Sequence, residues 1–118
     1  MTFRFESLEI WRLAREYAVK VYTLSAKFPR HEDFGGLRTQ INRAANSIGM
    51  NIAEGSGKTS VKHFDLYLDN AVDSTFEVVG ASFRALDQKY INEQEHTMLY
   101  SEGERLAKSI NAFRKTLG

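Results

Sequence analysis

The sequence predicts an all-α protein, an antiparallel up-down-up-down four-helix bundle forming one domain over residues 1–118. Three observations carry this. Apolar residues recur at three- and four-residue spacing in four successive segments. No window alternates apolar and polar residues between hairpin turns, as strands would. Short polar connectors join the segments, which favours antiparallel neighbours. A chain of 118 residues, 42% of them hydrophobic, is large enough for one core without a metal or a disulfide.

The first helix is expected from Ser7 to Ala26. Leu8, Trp11, Ala14, Ala18, Val21 and Leu24/Ser25 share one face. Ser7 is placed to cap the free amides of the first turn. Phe28-Pro29 ends the helix, because proline lacks the amide and disfavours helix at the residue before it. Arg30 to Gly36 is polar, closes on Gly35-Gly36 and is expected as a loop.

The second helix is expected from Gly36 to Glu54, with Leu37, Ile41, Ala44, Ile48 and Ile52 within one quadrant. Beside them runs a polar stripe of Gln40, Arg43, Ser47, Asn51 and Glu54. Polar groups bordering a core must be bonded, here to each other or to a neighbouring chain. Gly55 is expected to close the helix with a positive φ.

The third helix is expected from Ser60 to Lys89, capped by Thr59 or Ser60. Its stripe is Phe64, Tyr67/Leu68, Ala71/Val72, Thr75/Phe76, Val79, Phe83, Leu86 and Tyr90. The fourth is expected from Asn92 to Leu117. Asn92 and Glu95 have capping-box spacing, and Leu99, Glu102/Gly103, Leu106, Ile110, Phe113 and Leu117 form the buried face.

Composition narrows the function classes. Without cysteine, disulfide scaffolds and cysteine–zinc modules are excluded, and a reducing compartment fits. No apolar run approaches the roughly 20 residues of a membrane span. Met1 to Glu6 lacks the apolar core of a signal peptide, so a cytoplasmic protein without a membrane partner is expected. The formal charge of +1 hides a gradient. Between Leu37 and Lys62, Arg38, Arg43, Lys58 and Lys62 stand against Glu54 alone. Between His63 and Ile91, Arg84 and Lys89 stand against Asp65, Asp69, Asp73, Glu77 and Asp87. Such neighbouring blocks fit contacts within the chain or between copies, or simply solvated faces.

Several chemical motifs fail on spacing. Gly55-Ser56-Gly57-Lys58-Thr59 resembles the end of a nucleotide P-loop, but Ile52 stands where its first glycine is needed, and a helix leads in where a strand is required. Exposed amides at this turn, with Lys58, would still suit one phosphate of a nucleic-acid backbone. His31, His63 and His96 do not pair at i, i+4, and Glu93-Gln94-Glu95-His96 is a single Glu-x-x-His where a di-iron bundle needs two. No metal, cofactor or catalytic set is expected. The aromatic residues Trp11, Tyr17, Tyr22, Phe64, Tyr67 and Phe83 lie at helical spacing, which fits core packing better than base stacking on an exposed platform.

The segment Gln40-x-x-Arg43-Ala44-x-x-Ser47-Ile48-x-x-Asn51-Ile52-Ala53-Glu54-Gly55 carries a resemblance. With Leu8 and Trp11 before it, Phe28-Pro29 after helix one, and Phe64, Ser74 and Glu77 in helix three, it resembles a bacterial four-helix-bundle family. That family was first noticed in intervening sequences of large-subunit ribosomal RNA genes. Asp73 stands where the family usually has glycine, Lys58 where it often has arginine, and Gly35-Gly36 adds a residue to the first loop. The resemblance implies homopentameric rings and a role with nucleic acid. A related branch, the accessory proteins of diversity-generating retroelements, binds nucleic acid and a reverse transcriptase, so a partner protein is implied as well.

Two functions follow. The first is a non-enzymatic oligomer that contacts RNA or DNA backbones through Arg38, Arg43, Lys58 and Lys62. The second is a homo-oligomeric protein-interaction scaffold without nucleic acid, in which Gln40, Arg43, Ser47, Asn51, Glu54 and Glu77 specify assembly. Under either, Arg43 has an internal alternative: a bond to Glu54 or Glu77.

Overall fold

The computed structural model describes residues 3–118. A short 3-10 turn, Arg4–Ser7, leads into α1 (Glu9–Ser25). Then come α2 (Leu37–Ser56), α3 (Val61–Asp87) and α4 (Glu93–Arg114). The α1–α2 connector, expected as plain loop, holds a second 3-10 turn at Arg30–Glu32. No strand occurs among the described residues.

Contacts between helices set the topology. On α1–α2, Ser25 meets Asn42 and Tyr22 meets Asn46, while Trp11 lies against Gly49. On α2–α3, Gln40 meets Arg84, Ser47 meets Ser74, and Gly55 meets Phe64. On α3–α4, Phe64 meets Phe113 and Phe83 meets His96. On α4–α1, Lys20 pairs with Glu102 and Lys27 with Glu95. In all four seams one number rises as the other falls, so every neighbouring pair is antiparallel and the four helices close a square. The 27-residue α3 spans about 40 Å at 1.5 Å per residue, close to the 44 Å long axis.

All five residues of the α2 stripe, Leu37, Ile41, Ala44, Ile48 and Ile52, are buried. On α1 the buried face shifts: Ile10 and Tyr17 join Ala14, Val21 and Leu24, while Leu8, Trp11 and Ala18 are half-buried. Tyr17 can enter because the Leu99 carbonyl accepts its hydroxyl at 2.7 Å. On α3 the small polar residues Ser74, Thr75 and Ser82 are buried, whereas Phe76 and Phe83 are exposed. Their hydroxyls find partners at once: Thr75 donates to the Ala71 carbonyl and Ser82 to that of Val79. His96 also turns inward against Phe83, with ring centroids 4.2 Å apart, rather than lying on the surface with Glu93.

The caps divide. Ser60 accepts from the His63 amide at 3.1 Å, and Asn92 and Glu95 form the reciprocal box expected of them. Ser7 does not cap α1. It closes the preceding 3-10 turn by donating to the Arg4 carbonyl, and Leu8 is the N-cap without a side-chain bond. Gly55 does not end α2 in the left-handed region. It is helical and buried, because a Cβ there would meet Tyr67 Cβ at 2.7 Å and Phe64 Cδ1 at 2.9 Å. Gly57 is the C-cap, at an ordinary φ of −87°. Among the described residues no helix is long and apolar enough to cross a membrane.

Candidate nucleic-acid interface

The α2–α3 turn presents the first pair of sequence-predicted contacts. The last turn of α2 is closed locally: Ser56 donates to the Ala53 carbonyl, and the Gly57 amide donates to that of Glu54. Lys58 and Lys62 are both exposed on the α3 side of this closure, and neither has an ion-pair partner among the described residues. Both lie at the α3 N-terminus, where the helix dipole already favours anions and disfavours cations. Lys58 Nζ stands 5.1 Å from the Tyr67 ring centroid.

A third cation joins them. The Arg4 guanidinium lies 4.9 Å over the Phe64 ring, and Phe64 and Tyr67 pack on the same Gly55. The bare Cα of Gly55 therefore lets two rings in, and each ring holds a cation. Sequence reasoning missed Arg4; its signal was the Phe3-Arg4-Phe5 alternation ahead of the first helix. The nearby carboxylates of Asp65 and Asp69 both turn to Arg114, the first at 2.7 and 3.1 Å and the second at 3.1 Å, rather than to Lys58 or Lys62. The Arg114 bond holds the Asp65 carboxyl below its ordinary pKa.

Arg38 lies at the opposite end of α2. Its Nε donates to the Ser25 carbonyl at 2.9 Å, and its guanidinium also reaches the Phe28 carbonyl and Asp33. The Ser25 carbonyl ends α1, where it also accepts from the Phe28 amide, and the Phe28 carbonyl lies just beyond the helix. Its donors are occupied in fastening α1 to α2, which sets it apart from Lys58 and Lys62.

The polar stripe of α2 is half internal. Gln40 Oε1 accepts from Arg84 at 3.1 Å. Asn51 donates to the Ser47 carbonyl and hydroxyl at 2.8 and 2.9 Å, and Ser74 donates to the Ser47 hydroxyl at 2.9 Å. Arg43, Glu54 and Glu77 are exposed, with no hydrogen bond or ion pair among the described residues. The expected Arg43–Glu54 bond does not form: eleven residues of helix separate them by about 16 Å. The Arg43–Glu77 bond does not form either. Arg43 and Glu54 instead line an open groove of about 580 Å³ with Tyr22, Met50 and Asn51. The charge gradient is thus partly consumed inside the chain, Arg38 by Asp33, and Asp65 and Asp69 by Arg114.

Comparison with known proteins places this geometry. No curated protein matches the sequence. A crystal structure of a protein of unknown function from the S23 ribosomal protein family of Bacteroides thetaiotaomicron VPI-5482 superposes with a TM-score of 0.82. The two are 22% identical over 91% of this chain and 99% of that one, so the likeness is one of fold. The profile of the 23S rRNA-intervening sequence protein family matches residues 6–112, from the first 3-10 turn to near the end of α4. With nearly the whole bundle inside that match, the chain belongs to the 23S rRNA-intervening sequence protein family.

Proposed function

We propose that this protein is a non-enzymatic, cytoplasmic homo-oligomer that contacts nucleic-acid phosphates through Lys58 and Lys62, with Arg4 beside them. The observation that carries this is the grouping of three cations without ion-pair partners at one end of the bundle, around the α3 N-terminus. Within one chain the Phe64 and Tyr67 rings face two of these cations, but no carboxylate among the described residues pairs with any of the three; a bound polyanion would supply that pairing. The family description points toward RNA. A ring, for which the resemblance implies five copies, would repeat the patch and turn weak phosphate contacts into useful avidity. Arg38 is left out of the contact set, since its donors are occupied.

The test is binding of labelled structured RNA and duplex DNA across a salt series. Lys58→Ala and Lys62→Ala should each weaken binding and lower the log–log salt slope on DNA by about 0.9. Absence of binding at low salt would overturn the proposal.

A second function is favoured by the α2 groove. Arg43 and Glu54 stand there without partners beside the exposed side chains of Met50 and Tyr22. This suits a homo-oligomeric protein-interaction scaffold in which a neighbouring copy or a partner protein supplies the missing contacts. A light-scattering mass equal to the monomer would exclude self-assembly in either form.

A further inference from the structure

We infer that the stacked pair Phe3–Phe5 is a docking face for an unpaired base, so that the strand bound is single-stranded or locally melted. The inference rests on the phosphate-contact function proposed above and names the form of nucleic acid it takes.

The two rings are nearly parallel, with centroids 5.6 Å apart and planes 19° from one another. Phe3 is 60% exposed. Its backbone is nonetheless held in place. The Phe3 amide donates to Glu6 Oε1 at 3.2 Å, and the Glu6 amide donates back to the Phe3 carbonyl at 3.1 Å. Beneath it, Phe5 meets Trp11 edge-on at 4.7 Å, and the Arg15 guanidinium lies 4.8 Å over Trp11. An exposed ring on a bonded backbone, already resting on Phe5, has less ordering left to undergo when a base stacks on it.

The electrostatics agree. Arg15 over Trp11, Arg4 over Phe64 and Lys58 over Tyr67 are the three cation–ring contacts among the described residues, and all gather around the first turns of α1 and α3. Of the carboxylates nearby, Glu9 and Glu16 share Arg12, Asp65 and Asp69 share Arg114, and Glu6 accepts from the uncharged Phe3 amide. Glu54 is exposed and has no ion-pair partner among the described residues. The exposed Phe3 ring beside cations without ion-pair partners suits a splayed single strand, whereas a duplex keeps its base faces inside the stack.

The probes are an oligoadenylate of about 12 nucleotides and a duplex of equal length, compared by fluorescence anisotropy at fixed salt. Phe3→Ala should weaken the single strand about tenfold and leave the duplex unchanged. Phe3→Trp should keep the affinity, with its indole emission quenched as the strand binds. Circular dichroism confirms that both variants keep the helical fold. If Phe3→Ala binds the single strand as the parent does, or weakens strand and duplex alike, the docking face is wrong while phosphate contact stands. If neither probe binds the parent protein, both fall.

Discussion

The Tyr17 hydroxyl of α1 donates to the Leu99 carbonyl of α4 at 2.7 Å, beside the bare Cα of Gly103. A Cβ on Gly103 would meet Tyr17 Oη at 2.6 Å and Val79 Cγ2 at 2.8 Å. Three helices therefore converge on one missing side chain. Burial, and then the nearby Glu102 charge, push the Tyr17 pKa well above its ordinary value, so the group stays a neutral donor.

Gly103→Ala should accordingly destabilise the bundle by about 1–3 kcal/mol, although alanine is the better helix former. Tyr17→Phe should cost about 1 kcal/mol, the net worth of one buried hydrogen bond. Chemical denaturation of both variants tests this. A Gly103→Ala protein as stable as its parent would mean that α1 and α4 can move apart at no cost.

Gly55 and Gly80 should respond to the same substitution with opposite signs. At Gly55 a Cβ would press on Tyr67 and Phe64, so Gly55→Ala should cost about 1–3 kcal/mol. At Gly80 nothing lies within 4 Å, so Gly80→Ala should stabilise by about 0.5–1 kcal/mol. Melting temperatures that move in the same direction for both would contradict the packing described for α2 on α3.

What the sequence conveyed and what it withheld divide along physical lines. The α2 stripe was legible because large aliphatic residues repeat there with nothing competing. On α3, period alone could not tell Phe76 and Phe83 from Ser74 and Ser82. Which residues face inward depends on where the neighbouring helices lie, and small hydroxyls that bond their own backbone can take the inner positions. Gly55 was misread for a similar reason: a packing glycine and a capping glycine look alike until the opposing helix is known. Of the candidate contacts, Lys58 and Lys62 are exposed near the start of α3. Arg38 was indistinguishable from them by charge, because its partners are the backbone carbonyls of Ser25 and Phe28, which no composition records.

Acid should weaken the α3–α4 seam through Asp65. Its hydrogen bonds from Arg114 lower the folded pKa below the ordinary 3.8. The contribution is thus complete above that ordinary value and disappears as pH falls through the lower, folded one. Asp65 is partly exposed, so the effect stays at or below about 1 kcal/mol. Asp65→Asn should lower stability at pH 7 and flatten its decline below about pH 4. An acid limb as steep as the parent's would assign that decline to other carboxylates, such as Glu95 beside Lys27.

Arg38 and Arg43, five residues apart on α2, should separate in opposite assays. Arg38 holds two carbonyls at the end of α1 and an ion pair to Asp33, so Arg38→Ala should cost about 1–3 kcal/mol in unfolding. Its donors are occupied, so nucleic-acid affinity measured below the melting transition should not change. Arg43 has no partner among the described residues, so Arg43→Ala should leave stability within about 0.5 kcal/mol. Any effect of Arg43→Ala belongs to binding or to assembly, and light scattering beside the salt series divides these. Loss of mass with an unchanged salt slope would put Arg43 at a subunit contact, whereas an unchanged mass with a shallower slope would put it on the nucleic-acid backbone. An unfolded Arg43→Ala protein would show that the side chain has an internal partner after all, and its place on an open groove would have to be given up.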